Sequence, residues 1–222
     1  MSRTITVKGV GKASAKPDYV VLSMSLESRN LDYEKAMDIA SENIQYLTHL
    51  LSRVGYAKEE LKTTAFNVRT VYDRRKDNRG EYQSVFAGFE VSHDLKLGFD
   101  FDVMRLSQTL TAISLSTAKP RMSVSFTVKD ATAVNEELLR SATANARRKA
   151  EILCEASGVV LGPLETIHYN WGEISLYSRT DYDCDDGFCA LSEPMAKAVE
   201  ITPDDIDVSD SATFVWKIRD PL

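Results

Sequence analysis

Residues 181–189 read DYDCDDGFC, and the chemistry open to such a stretch is divalent-cation binding, zinc binding or thiol redox. Calcium takes oxygen ligands from alternating positions, and Asp181, Asp183 and Asp185 supply three carboxylates in that pattern. The pattern then slips. An EF-hand loop needs glycine at its sixth position and a bidentate glutamate at its twelfth, whereas Gly187 stands seventh and Glu193 thirteenth. Zinc would find Cys184 and Cys189, with no second cysteine pair or nearby histidine to complete a tetrahedron. The same two cysteines could close a small disulfide, or Cys184 could be oxidised, but neighbouring carboxylates disfavour the reactive thiolate. The favoured reading is an acidic solvated loop, and the alternative is a small-ligand or metal-binding module built on it.

Nothing else in the chain spells out a reaction. His49, His93 and His168 have no partner at a catalytic spacing, and His93 reads as a buried, hydrogen-bonded side chain rather than a general base. The stretch GKASAKPDY carries neither a phosphate-loop ending nor a dinucleotide fingerprint, so no cofactor is called for. Its Gly9 and Gly11 are expected to permit a bulge or bend, with Pro17 breaking two strands apart. No catalytic residue is assigned.

Composition narrows the partners. With 33 acidic against 27 basic residues the formal net charge is -6, and Arg74-Arg75-Lys76 and Arg147-Arg148-Lys149 are too short to neutralise a phosphate backbone, so nucleic acid is not expected. Three cysteines do not make a disulfide framework. No run of eighteen apolar residues predicts a membrane-spanning helix. The start, MSRTITVKGVG, alternates like a strand rather than a signal segment, and the chain as given reads as cytoplasmic.

Periodicity supplies the elements that must position any site. Tyr33, Met37, Ala40, Ile44, Leu47, Leu51 and Val54 form one helical stripe, with Asp32 as N-cap and Gly55 as the left-handed end. A second long helix, about 131–157, carries Val134, Leu138, Ala142, Ala146, Ala150 and Leu153, an alanine-rich face that lets a sheet approach closely. A shorter helix opens at Asp100 or Asp102 and presents Val103, Leu106, Leu110 and Ile113. Other segments alternate with period two: Val20, Leu22, Met24 and Leu26 face one way, as do Met122, Val124, Phe126 and Val128. Phe89, Val91, Leu95 and Leu97 oppose Glu90, Ser92, Asp94 and Lys96. Strands buried on both faces would lack this alternation. The expected fold is therefore α+β, with antiparallel-rich sheet, three main helices, and one sheet face wet or covered by another subunit.

Aligning the long helices on their terminal glycines reveals a pattern repeat. Leu61 and Leu164 each open an extended stretch, LKTTAFNVRTVYD and LETIHYNWGEISL, followed by a return strand. The chain reads as one domain of two strand-helix-strand-strand units, about 18–98 and 121–219, with residues 3–12 in front. An insertion at about 179–205 holds the acidic cluster.

The stretches VKGVGKASAKPDYVVLSMSLES, SENIQYLTHLLSRVGYAKEELKTTAFNV, ATANARRKAEILCEASGVVLGPLETI and ITPDDIDVSDSATFVWKI together resemble the SIMPL domain family of bacterial proteins, a domain of unknown function. The resemblance implies kinship with exported proteins linked to oxidative-stress defence and with an outer-membrane-associated immunogen that forms a hollow oligomer. It supplies no catalytic residues.

Segments 64–78 and 81–97 form a hairpin longer than a usual strand pair, so its far end is expected to project beyond the helices. Val71, Tyr72, Tyr82, Val85 and Phe86 near the tip give it surface that another copy could cover. The expectation is a homo-oligomer with a non-enzymatic scaffold role in stress or envelope physiology.

Overall fold

A computed structural model describes residues 3–76, 81–170, 172, 174–184 and 201–221. The elements in chain order are β1 (Thr4–Ala15), β2 (Tyr19–Asn30), α1 (Tyr33–Val54), a 3-10 turn (Lys58–Glu60), β3 (Leu61–Lys76), β4 (Tyr82–Asp100), α2 (Val103–Ser114), β5 (Arg121–Thr127), α3 (Thr132–Ala156), β6 (Val160–Tyr169), β7 (Tyr177–Cys184) and β8 (Ile206–Arg219). The chain thus adopts the α+β architecture its periodicity predicts. Five strands lie side by side in the order β3-β4-β2-β5-β7, and three more in the order β1-β8-β6. The pairs β2/β4, β3/β4, β1/β8 and β6/β8 are all antiparallel.

The residues fall into two compact units, one of 1–17, 127–179 and 203–222, the other of 18–126 and 180–202. The larger unit has its core on one face of the five-stranded sheet. Leu22 and Leu26 of β2, Leu97 of β4 and Phe126 of β5 meet Leu47 and Leu51 of α1 and Leu106 of α2, all at most 2% exposed. Each such side chain contributes about 1.5–3 kcal/mol of burial. Helix α1 begins where expected: the Asp32 carboxylate accepts from the N–H groups of Glu34 and Lys35, and Gly55 ends it at φ 105°. Asp102 rather than Asp100 caps α2, accepting from the Arg105 N–H at 2.7 Å.

In the smaller unit α3 lies against β1. Residues Val134, Leu138, Ala142, Ala146, Ala150 and Cys154 are its buried ridge, a strict four-residue repeat. That repeat selects Cys154 for burial and leaves Leu153 half exposed, against the expectation from apolar type alone. Gly9 and Gly11 lie in unbroken register with β8 and make no bulge. They instead let α3 come in to backbone contact. A Cβ at Gly9 would stand 2.1 Å from the Ala142 carbonyl oxygen, and one at Gly11 2.1 Å from that of Leu138. Three polar bonds fix this approach: the N–H groups of Val10 and Lys12 donate to Asn145 Oδ1 and Ser141 Oγ, and Lys149 Nζ donates to the Lys8 carbonyl.

The expected long stretch LETIHYNWGEISL is strand only as far as Tyr169, and the next strand begins after it, at Tyr177, in the other sheet. β6 ends at Tyr169 paired to β8, whereas β7 belongs to the five-stranded sheet. The strands of the first hairpin are β3 and β4, and residues 77–80 of its expected tip lie outside the described residues. Strand β2 pairs with β4 only from Phe89 onward, so the segment of β4 before it is held by β3 alone. A register shift opposite Val71 and Tyr72 marks the departure point, where Gly88 takes φ 123°.

Candidate functional site

The alternation that buries one face of the larger sheet turns Ser23, Ser25, Glu27 and Arg29 of β2 away from the helices, together with Glu90, Asp94 and Lys96 of β4 and Arg121 and Ser123 of β5. A trough of about 480 Å³ opens on this polar face, with Ser23, Ser25, Thr64, Asp94, Arg121, Ser123 and Asp183 on its walls. Ser25 Oγ donates to Asp94 Oδ1 at 2.6 Å, and Arg121 pairs with Glu27. Thr64 reaches the trough because it is the extra residue of a bulge between Thr63 and Ala65. Hydroxyls and carboxylates at this density can receive a cationic or hydrogen-bonding group.

Beside the trough, Glu90 is only 3% exposed on a face that otherwise meets water. Arg29 of β2 and Arg69 of β3 close over it, Arg29 Nη2 donating to Oε2 at 2.6 Å and Arg69 Nε to Oε1 at 2.7 Å. The hydrogen bond from Arg29 leads in holding the Glu90 carboxyl below its ordinary range; burial opposes this and Arg69 reinforces it. A folded pKa below the unfolded one means stability that is present above the unfolded pKa and lost as pH falls through the folded pKa. Glu90→Gln is therefore expected to flatten the acid limb of a stability profile taken between about pH 7 and pH 3, and to cost about 1–2 kcal/mol at neutral pH, since both arginines remain half exposed and can turn to water. Superimposable acid limbs for the two proteins would contradict this.

Asp181 and Asp183 lie on strand β7, and Asp183 reaches the trough while Asp181 does not line it. Asp185 and Cys189 lie outside the described residues, and Cys184 ends β7. Among the described residues no three His, Cys, Asp or Glu side chains gather as a metal site. Cys154 is a buried free thiol in α3. His93 is half-buried on the helix side of β4, its Nε2 2.8 Å from Thr63 Oγ1 and its ring edge-on to Phe66; burial pushes its pKa down. His49 and His168 are exposed. Sequence reading counted Glu90 among wet residues, because only the strand register brings Arg29 and Arg69 opposite it.

The projecting ribbon has two different faces. Tyr72, Arg74 and Lys76 of β3 stand opposite Phe86, Ser84 and Tyr82 of β4, a face with three aromatic rings, two cations and no acid among the described residues. Tyr72, Tyr82 and Phe86 are 58%, 68% and 43% exposed. Phe86 packs on Phe89, which packs on Tyr33 of α1, so this is the helix side of the sheet. Lys76 Nζ lies 5.2 Å from the Tyr82 ring centre. The other face holds Val85, Gln83 and the Asp73–Arg75 ion pair.

The chain is thus a two-sheet α+β protein with an open polar sheet face and an exposed aromatic ribbon. The SIMPL profile, described as a protein of unknown function (DUF541), matches residues 5–216, and the chain belongs to that family. It is similar to the 26 kDa periplasmic immunogenic protein of Brucella melitensis biotype 1, 24% identical over 158 residues covering 71% of this chain. The protein of that name in Brucella abortus is 23% identical over the same length. The chain spans 63% of the length of these relatives. Among the described residues no helix is long and apolar enough to cross a membrane.

Proposed function

We propose that the protein is a non-enzymatic, self-assembling scaffold, and that the ribbon of β3 and β4 is its assembly element. The observation that carries this reading is the exposed run of Tyr72, Tyr82, Val85 and Phe86 on a two-stranded segment that, among the described residues, no third strand supports. Two strands alone are marginal in water, and a contiguous aromatic surface gains from being covered. The setting proposed is the cell envelope rather than the cytoplasm, supported by relatives whose names place those proteins in the periplasm.

Tyr82→Asp combined with Phe86→Asp is expected to lower the mass measured by light scattering to that of a single chain while leaving the far-ultraviolet circular dichroism unchanged. A wild-type protein that stays a single chain at high concentration would refute the reading, as would an assembly indifferent to the double substitution.

A further inference from the structure

We infer that the acidic trough on the open sheet face is the receptor for the cationic, aromatic ribbon face of a second copy, so that copies join front to back; this rests on the self-assembly reading above. Two sets of unpaired charge motivate it. On the ribbon, among the described residues, Arg74 has no carboxylate partner, Lys76 has only a ring beneath it, and their face carries no acid. In the trough, Asp94 and Asp183 have no salt-bridge partner among the described residues, while Arg121 is already occupied by Glu27. The sites match in sign, and each is the other's missing counter-charge. Serine and threonine hydroxyls around the two carboxylates supply acceptors and donors for the guanidinium, the ammonium and the Tyr82 hydroxyl.

The ribbon cannot fill the trough of its own chain. Ser84, opposite Arg74, and Asp94 lie on the same strand, separated by roughly 33 Å at about 3.3 Å per residue. The ribbon face points to the helix side and the trough opens on the other, so docking presents unlike surfaces to one another. Such a contact is heterologous: every copy added keeps one free ribbon and one free trough unless the series closes on itself.

The test is a charge exchange on the full chain. Arg74→Glu with Lys76→Glu makes a ribbon-reversed protein, and Asp94→Lys with Asp183→Lys a trough-reversed one. Each alone is expected to raise the midpoint concentration of assembly about tenfold or more, and the combination of all four to restore it. Mixing the two reversed proteins is expected to restore growth with the two chains alternating, because every ribbon then meets a trough of opposite sign. Should Asp94→Lys fail to fold, Asp183→Lys alone, on an exposed strand position, carries the trough arm. Assembly that persists in both reversed proteins, or that is lost in each without rescue by the fourfold variant or by mixing, overturns the inference while leaving the scaffold reading intact. A wild-type protein that never assembles removes the reading itself.

Discussion

Gly11→Ala is expected to unfold the smaller unit or cost it more than about 3 kcal/mol, an effect at the upper end for overpacking because the obstacle is backbone. The added Cβ would lie 2.1 Å from the Leu138 carbonyl oxygen and 2.9 Å from the Ala142 nitrogen, and a helix backbone cannot rotate aside as a flexible side chain does. Relief requires α3 to lift from β1, which breaks the bonds from Val10 and Lys12 to Asn145 and Ser141 and opens the layer of Val7, Ala146 and Phe214. Gly9→Ala meets the Ala142 oxygen in the same way. Trp216, 6% exposed and stacked on Phe214, gives the readout through its fluorescence in urea. Gly55→Ala is the contrast: nothing lies within 4 Å of its Cβ, and only the φ of 105° is penalised, at about 1–2 kcal/mol. Equal midpoints for Gly11→Ala and wild type would show that α3 does not sit on β1 as described.

The larger unit has its own decisive residue. Phe126 is completely buried and meets Phe101 edge-on, ring centres 5.5 Å apart at 83°. Phe126→Ala removes a ring from a core that helices α1 and α2 hold open, so the cavity collapses only in part and the expected loss is about 3–5 kcal/mol. Phe126→Leu keeps most of the volume and is expected to lose less than half of that. Thermal unfolding of the two variants side by side checks the order; a Leu variant as unstable as the Ala variant would mean that the aromatic contact, not the volume, governs the site.

The helices were legible because their signals are local. Asp32, Asp102 and Gly55 act on neighbours within one turn, and apolar spacing alone found the buried face of α1 and most of that of α3. Leu153 was misplaced because a single turn cannot show that the buried ridge advances by fours to Cys154. The sheets were legible in their faces but not in their partners. Nothing in the sequence announces that Glu90 faces Arg29 and Arg69 across two strand boundaries, or that Asp183 joins Asp94 and Ser25 at one trough, since those meetings are decided by register and strand order. In sequence Gly9 and Gly11 suggest a bend in a strand, whereas their missing side chains serve a helix more than a hundred residues later.

Strand β1 ends its sheet, and an end strand ordinarily offers its outward backbone to any extended chain that drifts by. Here α3 lies along that border and answers it with side chains: the Asn145 amide and the Ser141 hydroxyl take the N–H groups of Val10 and Lys12, and Lys149 takes the carbonyl of Lys8. An unfolded neighbour seeking to add itself there would have to displace a whole helix rather than a film of water. The border is thereby closed, along Lys8 to Lys12, to the templated growth that turns exposed strands into aggregates.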